Sequence, residues 1–214
     1  MTHKINNRAV VERRSEPPDS LDDFPTPPWA TRALCALVLC EERLSAATVW
    51  EPACNRGHMA LPLAQYFDRV LTSDVHHYGW SGQQRVCDLL FHGSEPDEEV
   101  DWVITNPPFR LAAQFVERGL QVARVGVAVL VRTAFLEGIA RYRELFLPRP
   151  PSVVAQFTER VVIRKGRLYE NGSTATAYCW LVWKREPASH ATQLVWIPPC
   201  KATFVRPGDY EVPA

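Results

Sequence analysis

Apolar positions along this chain follow two periods in turn, one of about 3.6 residues and one close to 2, and the changes between them mark out helices and strands. Trp29, Ala33, Leu34, Leu37, Val38 and Leu44 fall on one helical stripe. Thr26 stands ahead of it as a cap. Pro27 and Pro28 fill the first turn, where a missing N–H costs nothing. Residues 48–50 read as a short strand, 58–67 as a helix with Pro62 near its start, and 69–73 as the next strand. Residues 101–105 are apolar on both faces (Trp102, Val103, Ile104), as a central parallel strand should be. Leu111, Phe115, Val116 and Leu120 then make a helical stripe, 125–131 is a β-branched buried strand, and 137–146 is a helix ended by Pro148. Two further strands, 153–163 and 175–183, flank a turn-rich loop, 164–174, that contains Asn171-Gly172.

Strands that alternate with helices predict an α/β fold: a Rossmann-like, doubly wound, mostly parallel sheet, with one antiparallel strand in a C-terminal hairpin. In such sheets ligands bind beyond the carboxyl ends of the strands, so the chemistry belongs in the loops that follow them. The domain is expected over 24–185. Residues 1–23, polar and turn-rich, read as a flexible arm. Residues 186–214 hold five of the 18 prolines, show no helical period, and read as an extension packed on the domain.

Composition narrows the classes. Of 214 residues, 46% are hydrophobic and 22% charged, which excludes a long disordered chain. The formal net charge is zero, so contact with nucleic acid must come from a local patch rather than an overall basic surface. The six cysteines (Cys35, Cys40, Cys54, Cys87, Cys179, Cys200) contain no C-x-x-C pair and read as small buried thiols of a reducing, cytoplasmic compartment. No stretch is long and apolar enough to cross a membrane, and the first residues, charged but without an apolar run behind them, do not read as a signal peptide. His76 and His77 read as exposed loop histidines, and no metal set is expected.

Four loops carry candidate chemistry. The first is Glu51-Pro52-Ala53-Cys54-Asn55-Arg56-Gly57, in which an acid ends a strand and a glycine precedes a helix. The acid can accept from a ligand ammonium or hydroxyl, and the glycine lets backbone approach closely. An ordinary strand-to-helix turn fits the same residues. The three-glycine dinucleotide fingerprint is absent. The second is Asp74, 17 residues after Gly57, near the spacing of an acid that holds ribose hydroxyls. The third is Asp88-Leu89, where the carboxylate either accepts from a ligand amino group or is a solvated loop acid.

The fourth, Asn106-Pro107-Pro108-Phe109, is the sharpest. Prolines donate no hydrogen bond, which frees carbonyls to face a ligand. The Asn106 carboxamide oxygen and the Pro107 carbonyl match the two protons of a planar amino group, and Phe109 offers a stacking face. An aryl amine is a weak nucleophile because its lone pair is delocalised. Two acceptors that favour pyramidal nitrogen stabilise the transition state rather than the substrate.

FPTPPWAT, EPACNRG, SDV, CDLL and ITNPPF, in this order, resemble the cofactor and catalytic motifs of class I S-adenosylmethionine-dependent amino-methyltransferases. The pattern is most similar to small adenine-N6 DNA methyltransferases of phage and prophage type, and the likeness runs from about Phe24 to Arg185. The resemblance implies S-adenosyl-L-methionine as cofactor. It implies contacts from Phe24, Pro25, Thr26 and Pro27, a loop around the methionine part (Glu51, Pro52, Ala53, Asn55, Gly57), Asp74 on the ribose, and further contact from Asp88 and Leu89. It assigns catalysis to Asn106, Pro107, Pro108 and Phe109. Asn55 and Arg56 stand where the family more often has glycine; Asn tolerates a left-handed backbone better than most residues. The 105 residues after Phe109 leave little room for a separate target-recognition domain, so a specificity partner or a homodimer is an open expectation.

The implied acceptor is the adenine amino group of nucleic acid, most simply DNA, presented flipped or single-stranded. The same tetrapeptide chemistry serves protein glutamine and RNA guanine or adenine, and a non-catalytic cofactor-binding subunit is the reading from a different class. Arg164, Lys165 and Arg167, with Tyr169 nearby, form a local basic patch that would lie on the catalytic edge if the strand before it is parallel. Arg110, Arg132, Arg141 and Arg143 are further candidate phosphate contacts.

Overall fold

The computed structural model describes residues 21–187, 189 and 191–211. Eight strands form one sheet: β1 (Thr48–Glu51), β2 (Arg69–Asp74), β3 (Arg85–Val86), β4 (Trp102–Thr105), β5 (Gly126–Arg132), β6 (Val153–Phe157), β7 (Tyr178–Lys184) and β8 (Gln193–Ile197). Their order is β3-β2-β1-β4-β5-β7-β6-β8. β7 runs antiparallel to both its neighbours, β5 and β6, and every other pairing is parallel. The expected Rossmann-like, mostly parallel sheet is therefore the fold of this chain.

The central strands are apolar throughout because both faces are covered. Trp102, Ile104, Ala128, Leu130, Trp180 and Val182 point into one core, with Trp29, Leu34 and Ile197. Val103, Val127, Val129, Leu181 and Trp183 point into the other, with Trp50, Phe115 and Leu145. Helix α1 (Pro28–Ala33) packs on the first core; α2 (Ala60–Leu63) follows β1, and α3 (Ala112–Val122) lays Phe115 and Val116 on the second. A single turn, α4 (Ile139–Arg141), and a C-terminal one, α5 (Lys201–Phe204), complete the helices.

Several local expectations need correction. Thr26 is not the cap of α1. Pro27 holds that position without a side-chain bond, and the Thr26 hydroxyl is used elsewhere. The helix widens to a π-turn over Leu34–Val38, so Leu37 swings to the surface instead of continuing the stripe. The strand expected at 153–163 leaves the ladder after Phe157, although Val161, Val162 and Ile163 stay buried. The described part of the extension does more than cover the surface: β8 joins the sheet beside β6, and Asp209 forms a bidentate pair with Arg32, at 2.7 and 2.8 Å. Of the expected arm, residues 1–20 lie outside the described residues. Asp22 and Asp23 belong to the site described next, as do contacts made through Phe24.

Candidate active site

The carboxyl ends of β1, β2 and β4 open into a cleft of about 630 Å³, counting its mouth. Residues from Leu21 to Thr26 cross one side of it.

Glu51, the last residue of β1, is 2% exposed and lines the cleft. One carboxylate oxygen accepts from the Ala60 backbone N–H, while Oε2 has no partner. Burial, then the neighbouring Asp74 charge, holds its carboxyl well above the usual carboxylate range. A buried acid in this state is stabilised by an incoming cation. Asp74, at the end of β2, is also buried; its Oδ2 accepts from Asn55 N–H at 2.9 Å and its Oδ1 from His76 N–H at 3.1 Å. Burial raises its pKa, partly offset by these bonds.

The loop between them is shaped by two left-handed residues. Asn55 has φ 49°, the conformation that asparagine tolerates. Gly57 has φ 80°, and a Cβ there would lie 2.5 Å from the Trp80 ring. Its glycine is thus required by Trp80, a packing partner, and Gly57 itself does not line the cleft.

The segment before Phe24 grips this loop. Asp23 takes both guanidinium nitrogens of Arg56, each at 2.9 Å, and the Asn55 amide at 2.8 Å. Burial pushes the Asp23 carboxyl up, but the Arg56 and Asn55 bonds outweigh it and leave it below its ordinary value. Asp22 accepts from Phe109 N–H at 2.9 Å, so adjacent carboxylates hold the two candidate loops together.

Asn106 follows β4. Its amide nitrogen donates to the Phe24 carbonyl and to the Thr26 hydroxyl, both at 3.0 Å. Those bonds fix the flip of the carboxamide and leave Oδ1 buried, without a partner, on a residue that lines the cleft. Pro108 also lines it. Phe109 stands beside the cleft rather than in it: the Phe24 ring lies 5.3 Å away, and the Arg132 guanidinium sits over its ring at 4.2 Å.

Of the other residues singled out by sequence, Phe24, Pro25, Thr26, Pro52, Ala53 and Asn55 line the cleft, whereas Pro27 and Pro107 are buried beside it. Asp88 and Leu89 are not brought there. Asp88 is exposed, with Oδ1 turned to the Leu90 N–H, and Leu89 is buried in the second core. Sequence reasoning missed Asp22, Asp23, His58 and Tyr78. His58 is buried in the cleft wall with Nδ1 unpartnered; burial, then Arg56, holds it neutral, with a pKa of about 4. Cys54 lines the cleft too, but burial and the Glu51 and Asp74 charges push its thiol up, so it is no thiolate nucleophile. Among the described residues, no cluster of His, Cys, Asp and Glu could hold a metal, and no helix is long and apolar enough to cross a membrane.

No protein-family model and no curated protein matches this sequence. Solved structures do resemble it. A type I restriction-modification methyltransferase subunit from Streptococcus thermophilus superposes with a TM-score of 0.61 at 12% identity, over 81% of this chain and 47% of that one. A putative RNA methyltransferase from Pyrococcus horikoshii gives 0.56 at 15% identity, over 79% and 90%. The modification subunit of a putative type I restriction enzyme from Vibrio vulnificus gives 0.53 at 16% identity, over 90% and 50%. The chain therefore shares the fold of these proteins, and it spans about half the length of the two restriction subunits.

Proposed function

We propose that this chain is an S-adenosylmethionine-dependent N-methyltransferase that acts on the exocyclic amino group of adenine in nucleic acid, DNA in the first instance. One observation carries the reading: the Asn106 carboxamide is locked by Phe24 and Thr26, which leaves a buried, unpartnered acceptor oxygen on a residue that lines the cleft. An acceptor fixed in this way is preorganised for a developing positive charge on an amino nitrogen.

The cleft suits the cofactor, which when bound supplies an electrophilic methyl group on a sulfonium. Glu51, buried and short of a partner, would take its ammonium. Asp74 would share its carboxylate between the loop backbone and ribose hydroxyls. Phe24, Pro25 and Thr26 would close over it. Asn106 Oδ1 and the Pro107 carbonyl would accept hydrogen bonds from the two amino protons and so favour the pyramidal nitrogen; after direct displacement the surplus proton is lost to solvent, and no covalent enzyme intermediate is formed.

Nucleic acid is supported by the hairpin loop. Because β7 is antiparallel to both β5 and β6, β6 is parallel to β5, and the loop after it emerges on the edge that carries the cleft. Gly166 N–H donates to the Asp23 carbonyl at 2.8 Å, which ties the loop to the cleft's margin. Arg164 and Arg167 stand over the Tyr169 ring, at 4.7 and 4.6 Å. The resemblance to two restriction-system subunits is consistent with a DNA acceptor.

The test is transfer of labelled methyl to DNA, RNA and protein, followed by nucleoside and amino-acid mass spectrometry. N6-methyladenine is expected. N2-methylguanine or methylglutamine would replace the acceptor and keep the chemistry. Cofactor binding with no transfer to any of them would mark a non-catalytic module.

A further inference from the structure

Most arginines among the described residues are placed by hydrogen bonds. Arg32 forks onto Asp209 and also reaches Gln65 and the Phe204 carbonyl; Arg56 forks onto Asp23; Arg124 reaches Asp101 and Glu99. Arg132, the last residue of β5, differs. Among the described residues its guanidinium makes no hydrogen bond or ion pair, its Nε is buried without a partner, and its contact is the face of Phe109. At 4.2 Å from the ring centroid, the guanidinium occupies the place where a flat ring would stack. Phe24, the other aromatic neighbour of that ring, is buried in the core and fixed through its carbonyl. Among the described residues, Arg132 is the partly exposed side chain that lies over the Phe109 ring.

We infer that Arg132 is a gate on Phe109: a target base displaces its guanidinium from the ring, and the released cation pairs with a backbone phosphate beside that base. This rests on the nucleic-acid reading above. The exchange is downhill on general grounds. Base–aromatic stacking is stronger than a half-solvated cation–π contact, and the guanidinium, which lacks a hydrogen-bonding partner in the closed state, gains a bidentate one. Arg110, exposed and next to Phe109, extends the same cationic edge. The gate also gives selectivity, because a ligand without an adjacent phosphate must displace Arg132 and leave it unpaired.

The test compares binding of two single-stranded, adenine-containing oligonucleotides of one sequence, one with phosphodiester and one with uncharged methylphosphonate linkages. Arg132→Ala should weaken the phosphodiester probe by about tenfold and flatten its salt slope by about one. The same variant should bind the methylphosphonate probe more tightly than wild type, because the competitor for the ring is gone. Arg132→Lys should keep the wild-type salt slope. Thermal unfolding of each variant verifies the fold. If Arg132→Ala weakens both probes alike, or changes neither, the gate is overturned while the nucleic-acid reading stands. A wild-type protein that binds neither probe overturns that reading and the gate together.

Discussion

Replacing Glu51 by glutamine separates stability from binding, because the two should move in opposite directions. In the ligand-free protein, Glu51 is 2% exposed and Oε2 has no partner. Its pKa is raised by burial and then by Asp74. A carboxyl with a raised folded-state pKa stabilises the fold below its unfolded value and loses that contribution as pH rises through the folded one. Wild type should therefore lose the Glu51 contribution as pH is raised from about 5 to about 8, and the loss is read as the difference from Glu51→Gln, because neutral His58 gives the opposite slope below its ordinary value in both proteins. At the upper end the variant should be more stable by about 1 kcal/mol, since glutamine leaves an unpaired amide where an unpaired charge stood. For a chain of this size that is a Tm increase of about 2–4 °C. Affinity for S-adenosylhomocysteine should fall by the worth of one charged hydrogen bond, about 1.5–3 kcal/mol, or roughly tenfold to a hundredfold in Kd. The assay is thermal unfolding at both pH values, with and without ligand, together with calorimetry. A variant that is less stable than wild type without ligand yet binds the ligand unchanged would refute the assignment of Glu51 to the ligand's cation.

Asn106→Ala should reduce kcat by about a hundredfold to a thousandfold with cofactor affinity nearly intact, measured by labelled transfer and calorimetry; full activity would end the proposed mechanism. Thr26→Val keeps shape but removes one of the two anchors of the Asn106 amide, and should cost about tenfold in kcat, roughly the worth of one neutral hydrogen bond. Changing Arg164, Lys165 and Arg167 together to alanine should weaken nucleic acid of every sequence and flatten the slope of log affinity against log salt; an unchanged slope would leave the loop a plain surface turn.

The sheet was legible because its central strands are buried on both faces and so are written in unbroken apolar runs such as those around Trp102 and Val129. Asn106 was legible because a polar residue and two prolines directly after such a run have few purely structural uses. Other parts were hidden for physical reasons. β8 is an edge strand whose Leu194 and Trp196 face solvent, so its apolar residues show no clean alternation. Asp22 and Asp23 look like any polar flank until the chain folds back and sets them against Phe109 and Arg56. Gly57 was read as clearance for a ligand, but the close neighbour is Trp80, which lies 23 positions further on and which no local pattern reveals. Asp88 had the right residue type and the right order, and its side chain turns instead to its own loop.

The two neighbouring carboxylates, Asp22 on the Phe109 loop and Asp23 on the Asn55–Arg56 loop, have a consequence for the order of events on the molecule. Both loops are held by one short stretch of backbone, so a ligand that tightens either changes the freedom left to the other. Such coupling is symmetrical by thermodynamic necessity: whatever factor the first ligand contributes to the affinity of the second, the second returns to the first. On the function proposed above, cofactor and target should therefore bind as a coupled pair, and a chain cut between Asp22 and Asp23, which parts the two carboxylates, should bind each of them as if the other were absent.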